Sequence, residues 1–492
     1  MTLLYFEDDI YKAKNSYYDR EVLKSSGFRW NPAEKVWETN NVDSLKEACE
    51  ILHDAEMDDA VRAIIDEPIP EIEPHRVEPA DAPAPAGLSF REYQRQGISW
   101  IAKTSTSTIL ADDMGLGKTI QVCGFLNLMR DTGLTAIVVC PASLRETWRR
   151  EVEKWCVDGV EPVTIVSYEG LSRGSFGHFD YAFFDEAHYL KNVKSQRTQA
   201  AFRLDAYHKI FLTGTPMLNR PVELFPLLVM CDVCDNSGKA YRQYTERFCN
   251  AHQGYYGWDV SGASNLKELR KKIHPVMLRR TRAEVLTELP ELTRSIMWVD
   301  SQKSLYQQMK ELGISDDQLV KFLDNLDSVQ QSSVFASIRH ADGLAKVPTV
   351  AQHIQDMVDD GVDRVVVFAH HRNVIDSLHH MIPNSRTIMG GMSDADRQDA
   401  VDWFQEDAAE PRVLIAGIHA AGVGLTLTRG HRIVFAEIDY TPALMDQAEA
   451  RCHRIGQNNA VVSEWIVSVD SLDAEVLKML AKKEQVIQEV MG

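Results

Sequence analysis

Beyond residue 88 the chain sets short, β-rich apolar runs between longer amphipathic stretches, and this rhythm occurs in two successive sets. The first set is Ser107 to Ala111, Thr135 to Cys140, Val163 to Ser167, Tyr181 to Phe184 and Lys209 to Thr213. The second is Arg364 to Ala369, Ser385 to Met389, Arg412 to Ala416, His431 to Ala436 and Val461 to Val467. Near-continuous apolar runs of strand length suit strands covered on both faces, and the helical stretches between them can serve as parallel crossovers. The pattern predicts an α/β chain with two parallel-sheet lobes. Between them, Leu218 to Ala345 reads as mostly helical, with charges and aromatics that suggest inserted or protruding helices.

Before residue 88 the pattern changes. Leu3 to Ala13 reads as a strand, Tyr18 to Ser25 as a short helix, Gly27 to Thr39 as a hairpin turning at Asn31-Pro32-Ala33-Glu34, and Asp43 to Ala55 as a helix. Pro68, Pro70, Pro74, Pro79, Pro83 and Pro85 then stand among acidic residues and alanines, which predicts an extended, semi-rigid linker. The expected division is a small α+β module at 1–65, the linker at 66–87, and lobe 1 at 88–290 with a helical insertion at 218–290. A helical insertion or linker at 291–345 and lobe 2 at 346–492 complete it.

At 492 residues, and at about 150 residues per domain, the length fits about three domains. The 44% hydrophobic and 25% charged content is ordinary for a soluble globular protein. No apolar run reaches membrane-spanning length, and the first residues lack the basic-then-apolar pattern of a secretory signal, so no membrane partner is expected. The net charge of −19 weighs against a phosphate-rich partner. Its distribution removes most of that objection: residues 1–87 carry 9 basic and 20 acidic side chains, leaving only −8 on the other 405, where a local basic groove fits. The eight cysteines are scattered and several lie inside apolar runs, which reads as reduced thiols. Cys231, Cys234, Cys249 and His252 have the ligand types and spacing of a zinc site. The apolar Leu227-Leu228-Val229-Met230 before Cys231 favours buried thiols instead, so zinc is not expected there.

The chemistry sits in segments far apart. Asp112-Asp113-Met114-Gly115-Leu116-Gly117-Lys118-Thr119 follows the apolar Ile109-Leu110-Ala111 and leads into a helical stretch. Glycines at Gly115 and Gly117 let backbone N–H groups approach phosphate oxygens, Lys118 offers a charge to the outer phosphates, and Thr119 offers a hydroxyl to magnesium. A strict phosphate loop has glycine where this chain has Asp112. Asp185-Glu186-Ala187-His188 follows the strand Tyr181-Ala182-Phe183-Phe184; an acid there can hold Mg2+, through water, while its neighbour orients and deprotonates the attacking water. Arg451 and Arg454, three apart in Gln447 to Gln457, suit charge that develops during phosphoryl transfer. A nucleoside triphosphate with Mg2+, clamped between the two segments, accounts for both.

Asp185-Glu186-Ala187-His188-Tyr189-Leu190-Lys191-Asn192, Leu212-Thr213-Gly214-Thr215-Pro216-Met217-Leu218-Asn219-Arg220 and His453-Arg454-Ile455-Gly456-Gln457 resemble the motif set of Swi/Snf-type superfamily-two ATPases. The likeness covers roughly residues 88 to 492. Gly262 to Leu269, Val276 to Thr281, Gly343 to Pro348 and Val367-Phe368-Ala369-His370-His371 are similar to the HepA-related, annealing-helicase branch, which remodels forked and branched DNA. The resemblance implies two RecA-like lobes and Asp112 as a shared family departure. It implies Gln94 in base recognition and Gln447 with Arg451 and Arg454 completing the nucleotide pocket. It also implies His188, Thr213, Thr215, Gly422 and Gly424 as residues coupling nucleotide to DNA. For DNA it points to Ser143, Leu144, Tyr168, Lys191, Asn192, His370 and Thr426 along a backbone-tracking cleft.

Phe28, Trp30 and Trp37 in the N-terminal hairpin read as a stacking surface for single-stranded DNA or a junction, by similarity to the small domain that precedes such motors. The expected function is ATP-driven translocation on double-stranded or forked DNA in repair or replication. The alternative is a strand-separating DNA or RNA helicase of the same superfamily. A compact remodeller of this type is expected in the cytoplasm of a prokaryotic or virus-infected cell, with a nuclear location as the other possibility.

Overall fold

The computed structural model describes residues 2–7, 10–14, 16, 19–26, 28–39, 42–52, 55–66, 75–105, 107–254, 257–300, 303–315, 333–421 and 425–491. The N-terminal module is a sheet of β1 (Leu3–Glu7), β2 (Ile10–Lys14), β3 (Arg29–Asn31), β4 (Val36–Thr39) and β5 (Glu56–Met57), in the order β3-β4-β2-β1-β5. The single strand expected over Leu3 to Ala13 is therefore two antiparallel strands, with Leu3 opposite Lys14. The acidic cluster after Phe6 interrupts the apolar run where the chain reverses. Leu4, Ala13, Leu23, Phe28 and Leu45 form the module's small core.

In lobe 1, β6 (Thr108–Leu110), β7 (Ala136–Cys140), β8 (Thr164–Ser167), β9 (Phe179–Asp185) and β10 (Ala206–Leu212) correspond to the five apolar runs of the first set. A small hairpin, β11 (His252–Gly254) and β12 (Gly257–Asp259), precedes the short edge strand β13 (Met277–Leu278). The sheet order is β13-β6-β10-β9-β7-β8, and every pairing is parallel. Lobe 2 contains β14 (Leu292–Val299), β15 (Arg364–Ala369), β16 (Ser385–Ile388), β17 (Arg412–Gly417), β18 (Arg432–Phe435) and β19 (Val461–Ser468) in the order β14-β19-β18-β15-β17-β16, again all parallel. These are the two RecA-like lobes.

One expectation is corrected. Residues 291–345 are not a helical linker: β14 pairs with β19 over eight residues, and helix Ser333–Asp359 buries Phe335 and Ile338 in the core of lobe 2. That helix runs through position 346, so the expected lobe boundary falls inside it. β14 escaped the apolar pattern because it is an edge strand, largely exposed even at Ile296 and Trp298. Residues 316–332 lie outside the described residues. The last helix, Leu472–Met491, starts in the core of lobe 2 with Leu472, Val476 and Leu480 and ends with Val490 and Met491 in that of lobe 1, beside Leu269 and Ile273. Among the described residues, no helix is long and apolar enough to cross a membrane.

Candidate functional site

Asp112 to Gly117 turn from the end of β6 into helix Lys118–Leu128. Gly115 (φ +84°) and Gly117 (φ +74°) take left-handed conformations that side chains rarely adopt, and a Cβ on Gly117 would fall 2.8 Å from Gln94 Nε2. The helix N-terminus presents its free N–H groups to the same turn. Lys118 Nζ donates to the carbonyls of Asp112 (2.6 Å) and Asp113 (3.3 Å), which holds the ammonium against the loop.

The loop's unusual first residue has a structural reason. Asp112 is completely buried, and its carboxylate accepts from Arg280 Nε (2.9 Å) and Nη2 (2.5 Å) and from Gln121 Nε2 (2.9 Å). Bidentate pairing of this kind fixes geometry as well as charge. Arg280 also donates to the Tyr93 carbonyl. Two residues on, the Arg282 backbone N–H donates to Asp113 Oδ2 (3.0 Å) and its guanidinium to the His453 carbonyl in lobe 2 (2.8 Å). The segment after β13 thus links the glycine turn to the arginine-bearing segment. Arg279 and Arg280 were noted in the sequence only as part of a resemblance; the anchoring could not be read there, because nothing local links residue 280 to residue 112.

Asp185 ends β9. Trp148 Nε1 donates to its Oδ2 (2.8 Å), and burial together with the neighbouring Glu186 pushes its carboxyl up to about 6. A buried carboxylate in that state gains most from a cation, so Asp185, with Lys118 of the phosphate turn acting on it, fits a magnesium site. Glu186 takes φ +50° and lies 3.2 Å from His188 Nδ1. Burial raises its pKa, but His188, Lys118 and Arg451 outweigh that and hold it below the ordinary range. Thr213, buried after β10, accepts from the Thr215 N–H (3.1 Å).

From lobe 2, Arg451 faces Glu186 closely enough for the carboxylate to oppose the effect of burial, which drives the guanidinium down to about 10. Arg454 donates to Thr426 Oγ1 (3.1 Å) and the Leu425 carbonyl (3.3 Å), and its Cβ lies 3.5 Å from where a Cβ on Gly115 would sit. Gln447 is buried on helix Pro442–Glu449. Glu449, missed in the sequence, is fully buried and accepts from Arg294 on β14 and from Ser463 Oγ, which fixes that helix to the sheet. Lys118, Asp185, Glu186 and Arg451 therefore share one interlobe site, with Gly115, Gly117 and Arg454 at its edge. Gln94 borders it, although its Oε1 accepts from the Arg91 N–H (2.9 Å), a helix-capping contact. Gly422 and Gly424 lie outside the described residues.

The residues expected to meet DNA are more dispersed. Lys191, Asn192 and His188 line an interlobe cavity of about 990 Å³ together with Arg220, His419 and Tyr440. Ser143 and Thr426 are exposed, and Leu144 is partly so. His370 lies at the end of β15 with its Nδ1 3.7 Å from Asp439 Oδ2; burial and Arg339 push it down to about 4. Tyr168 is a correction: its ring is buried and stacked on Tyr189, and its hydroxyl donates to the Asp185 carbonyl (2.8 Å), so that side chain does not reach a phosphate. Phe28 is likewise core, which leaves Trp30, half exposed and 5.8 Å from the Trp37 ring. Cys231 and Cys249 lie in the core of lobe 1, where burial pushes the Cys249 thiol up to about 12.

Residues 93–174 and 160–346 match the family model described as SNF2-related domain, and residues 346–456 match the helicase conserved C-terminal domain. The chain belongs to the SNF2-related family. Residues 9–40 match a domain of unknown function (DUF8626). This SNF2-related chain is 31% identical to the Xenopus tropicalis "SWI/SNF-related matrix-associated actin-dependent regulator of chromatin subfamily A-like protein 1", over 86% of this chain and 47% of the relative. It is 32% identical to the human "DNA annealing helicase and endonuclease ZRANB3", over 80% of this chain and 40% of that protein. The chain thus spans less than half the length of these curated relatives. Among solved structures, the "Sulfolobus solfataricus SWI2/SNF2 ATPase core in complex with dsDNA" matches with a TM-score of 0.39 and 22% identity, covering 85% of this chain and 94% of that one.

Proposed function

We propose that this chain hydrolyses ATP and uses the cycle to move along duplex DNA, remodelling forked, branched or protein-bound DNA. The observation that carries the reading is that Arg451 of lobe 2 and Lys118 of lobe 1 both act on Glu186, with Arg454 packed against Gly115 of the phosphate turn. Lys118 and the N–H groups from Gly115 to Thr119 bind the phosphates, and Thr119 and Asp185 hold magnesium, which neutralises phosphate charge when bound. Glu186 is the base that orients and deprotonates the attacking water, with His188 beside it keeping the carboxylate ionised. Arg451 and Arg454 stabilise charge that develops during transfer, Gln447 completes the pocket, and Gln94 contacts the base. Because both lobes contribute to one site, hydrolysis and lobe closure are coupled, and His188, Thr213, Thr215, Gly422 and Gly424 carry that coupling toward the DNA.

The duplex tracks along Ser143, Leu144, Lys191, Asn192, His370 and Thr426, which contact phosphates without reading bases. Trp30 offers the N-terminal module a stacking surface for single-stranded DNA at a fork. A relative named as a DNA annealing helicase and endonuclease supports an action on DNA. The test is ATP hydrolysis by the full chain titrated with duplex DNA, single-stranded DNA, forked DNA and RNA. Duplex or forked DNA stimulates the rate, and Lys118→Ala reduces it at least about a hundredfold, as loss of a phosphate-site charge does. Stimulation by RNA alone points to the strand-separating helicase reading instead.

A further inference from the structure

At the carboxyl end of the lobe 2 sheet, three side chains that the proposed ATPase cycle does not need as a group converge. His370 follows β15, His419 lies on the short helix Ile418–Ala421 directly after β17, and Asp439 follows β18. Their nearest ring nitrogens and carboxylate oxygen all lie within 4.8 Å of one another, the one such set among the described residues. His370 Nδ1 is 3.7 Å and His419 Nε2 3.8 Å from the same oxygen, Asp439 Oδ2. Ligands on a tetrahedral zinc ion, with bonds of about 2.0–2.1 Å, lie about 3.4 Å apart, so the two histidine–aspartate separations need shorten by only a few tenths of an ångström, and a turn of the exposed His419 ring brings the third pair together.

A second observation points the same way. His370 Nδ1 is buried and makes no hydrogen bond among the described residues. A buried ring nitrogen without a partner ordinarily costs stability, and a metal ion would satisfy it. The carboxylate is held in place: Asp439 is buried, its Oδ1 accepts from the Thr441 N–H (2.9 Å), and its Oδ2, which faces the histidines, accepts from Arg339 Nη2 (3.4 Å). His419, with a side chain 58% exposed, leaves the outer side of the set open to the interlobe cavity that it lines with Tyr440. Arg339 Nη2 thus donates both to Asp439 Oδ2 and to the Ile438 carbonyl (2.7 Å). Its charge opposes any cation, which disfavours weakly held magnesium or calcium and leaves ions that bond strongly to imidazole.

We propose that His370, His419 and Asp439 form an open, three-ligand site for one zinc-class divalent ion, separate from the magnesium expected beside ATP. Such an ion cross-links the ends of β15, β17 and β18, and it fixes His419 at the cavity that Lys191 and Asn192 also line. The full chain, stripped with a chelator and free of nucleotide, is titrated with Co2+ by visible absorption and with Zn2+ by calorimetry. The expected result is one equivalent bound, with ligand-field bands but without the thiolate charge-transfer band that cysteines would give, and a higher melting temperature with zinc.

His419→Ala and the bulkier His419→Gln, both changes at an exposed side chain, weaken binding by about a hundredfold or more and abolish the zinc-dependent rise in melting temperature. Metal-free melting that matches the metal-free wild type establishes that these variants are folded. No bound cobalt, a thiolate band, or wild-type affinity in both His419 variants overturns the site. All of these readouts are independent of ATP hydrolysis, so they stand apart from the proposed motor activity.

Discussion

Asp112 is the residue at which the phosphate turn departs from its strict template and also the residue that holds the turn in place. Its buried carboxylate is paired at both oxygens with Arg280, so removing it leaves a mostly buried guanidinium uncompensated. Asp112→Ala is expected to destabilise the fold by about 3–5 kcal/mol in chemical denaturation, the usual cost of breaking a buried pair on one side. Asp185 shows the opposite economy. Its carboxyl sits at about 6 in the folded state, above the ordinary unfolded value, because burial and Glu186 disfavour the charge. Below the unfolded value both states are protonated and nothing is lost; above about 6 the folded protein carries a buried charge that costs stability. Asp185→Asn is therefore expected to raise stability at neutral pH by about 3 kcal/mol while abolishing the proposed hydrolysis. In the wild type, the magnesium concentration needed for half-maximal rate should rise as pH falls through about 6, since protonation removes the ligand.

Between elements, two features set how the lobes meet. The short stretch after β13 carries Arg280 to Asp112 and Arg282 to the His453 carbonyl, so an edge strand of two residues positions both sides of the seam. Helix Leu472–Met491 does the same from the other direction, with Val490 fully buried in the core of lobe 1. Val490→Asp places a charge in that core, a change that a buried site accommodates only by releasing the segment. Its expected outcome is a larger radius of gyration in small-angle scattering and faster proteolysis within 472–491, with each lobe still folded.

For the whole molecule, a net charge of −19 and a DNA partner are reconciled by the kind of contact proposed. Ser143, Asn192 and Thr426 offer a hydroxyl, an amide and another hydroxyl, and Lys191 is the one cation in that set. Neutral donors displace few counterions, so duplex affinity should fall only gently with salt. Fluorescence anisotropy between low and physiological salt should give a log–log slope of about −1 to −3, against about −6 or steeper for a protein that neutralises many phosphates. A steep slope would mean that an unidentified basic surface carries the binding.

What the chain's own order of residues determined was whatever depends on neighbours along it. Apolar runs of strand length marked ten strands of the two RecA-like sheets, and the spacing of Gly115, Gly117 and Lys118 marked the phosphate turn, because backbone conformation and helix N-termini are local properties. Tertiary structure decided what depends on distant partners. β14 carries too few buried side chains to show an apolar pattern and exists as a strand through its pairing with β19. Tyr168 and Phe28 look like surface aromatics in sequence, yet packing buries them. The pairing of Asp112 with Arg280, the facing of Arg451 and Glu186, and the meeting of His370, His419 and Asp439 all join residues far apart in the chain. Only the folded sheets, by lining up strand ends from separate parts of the chain, bring those charges within reach of one another.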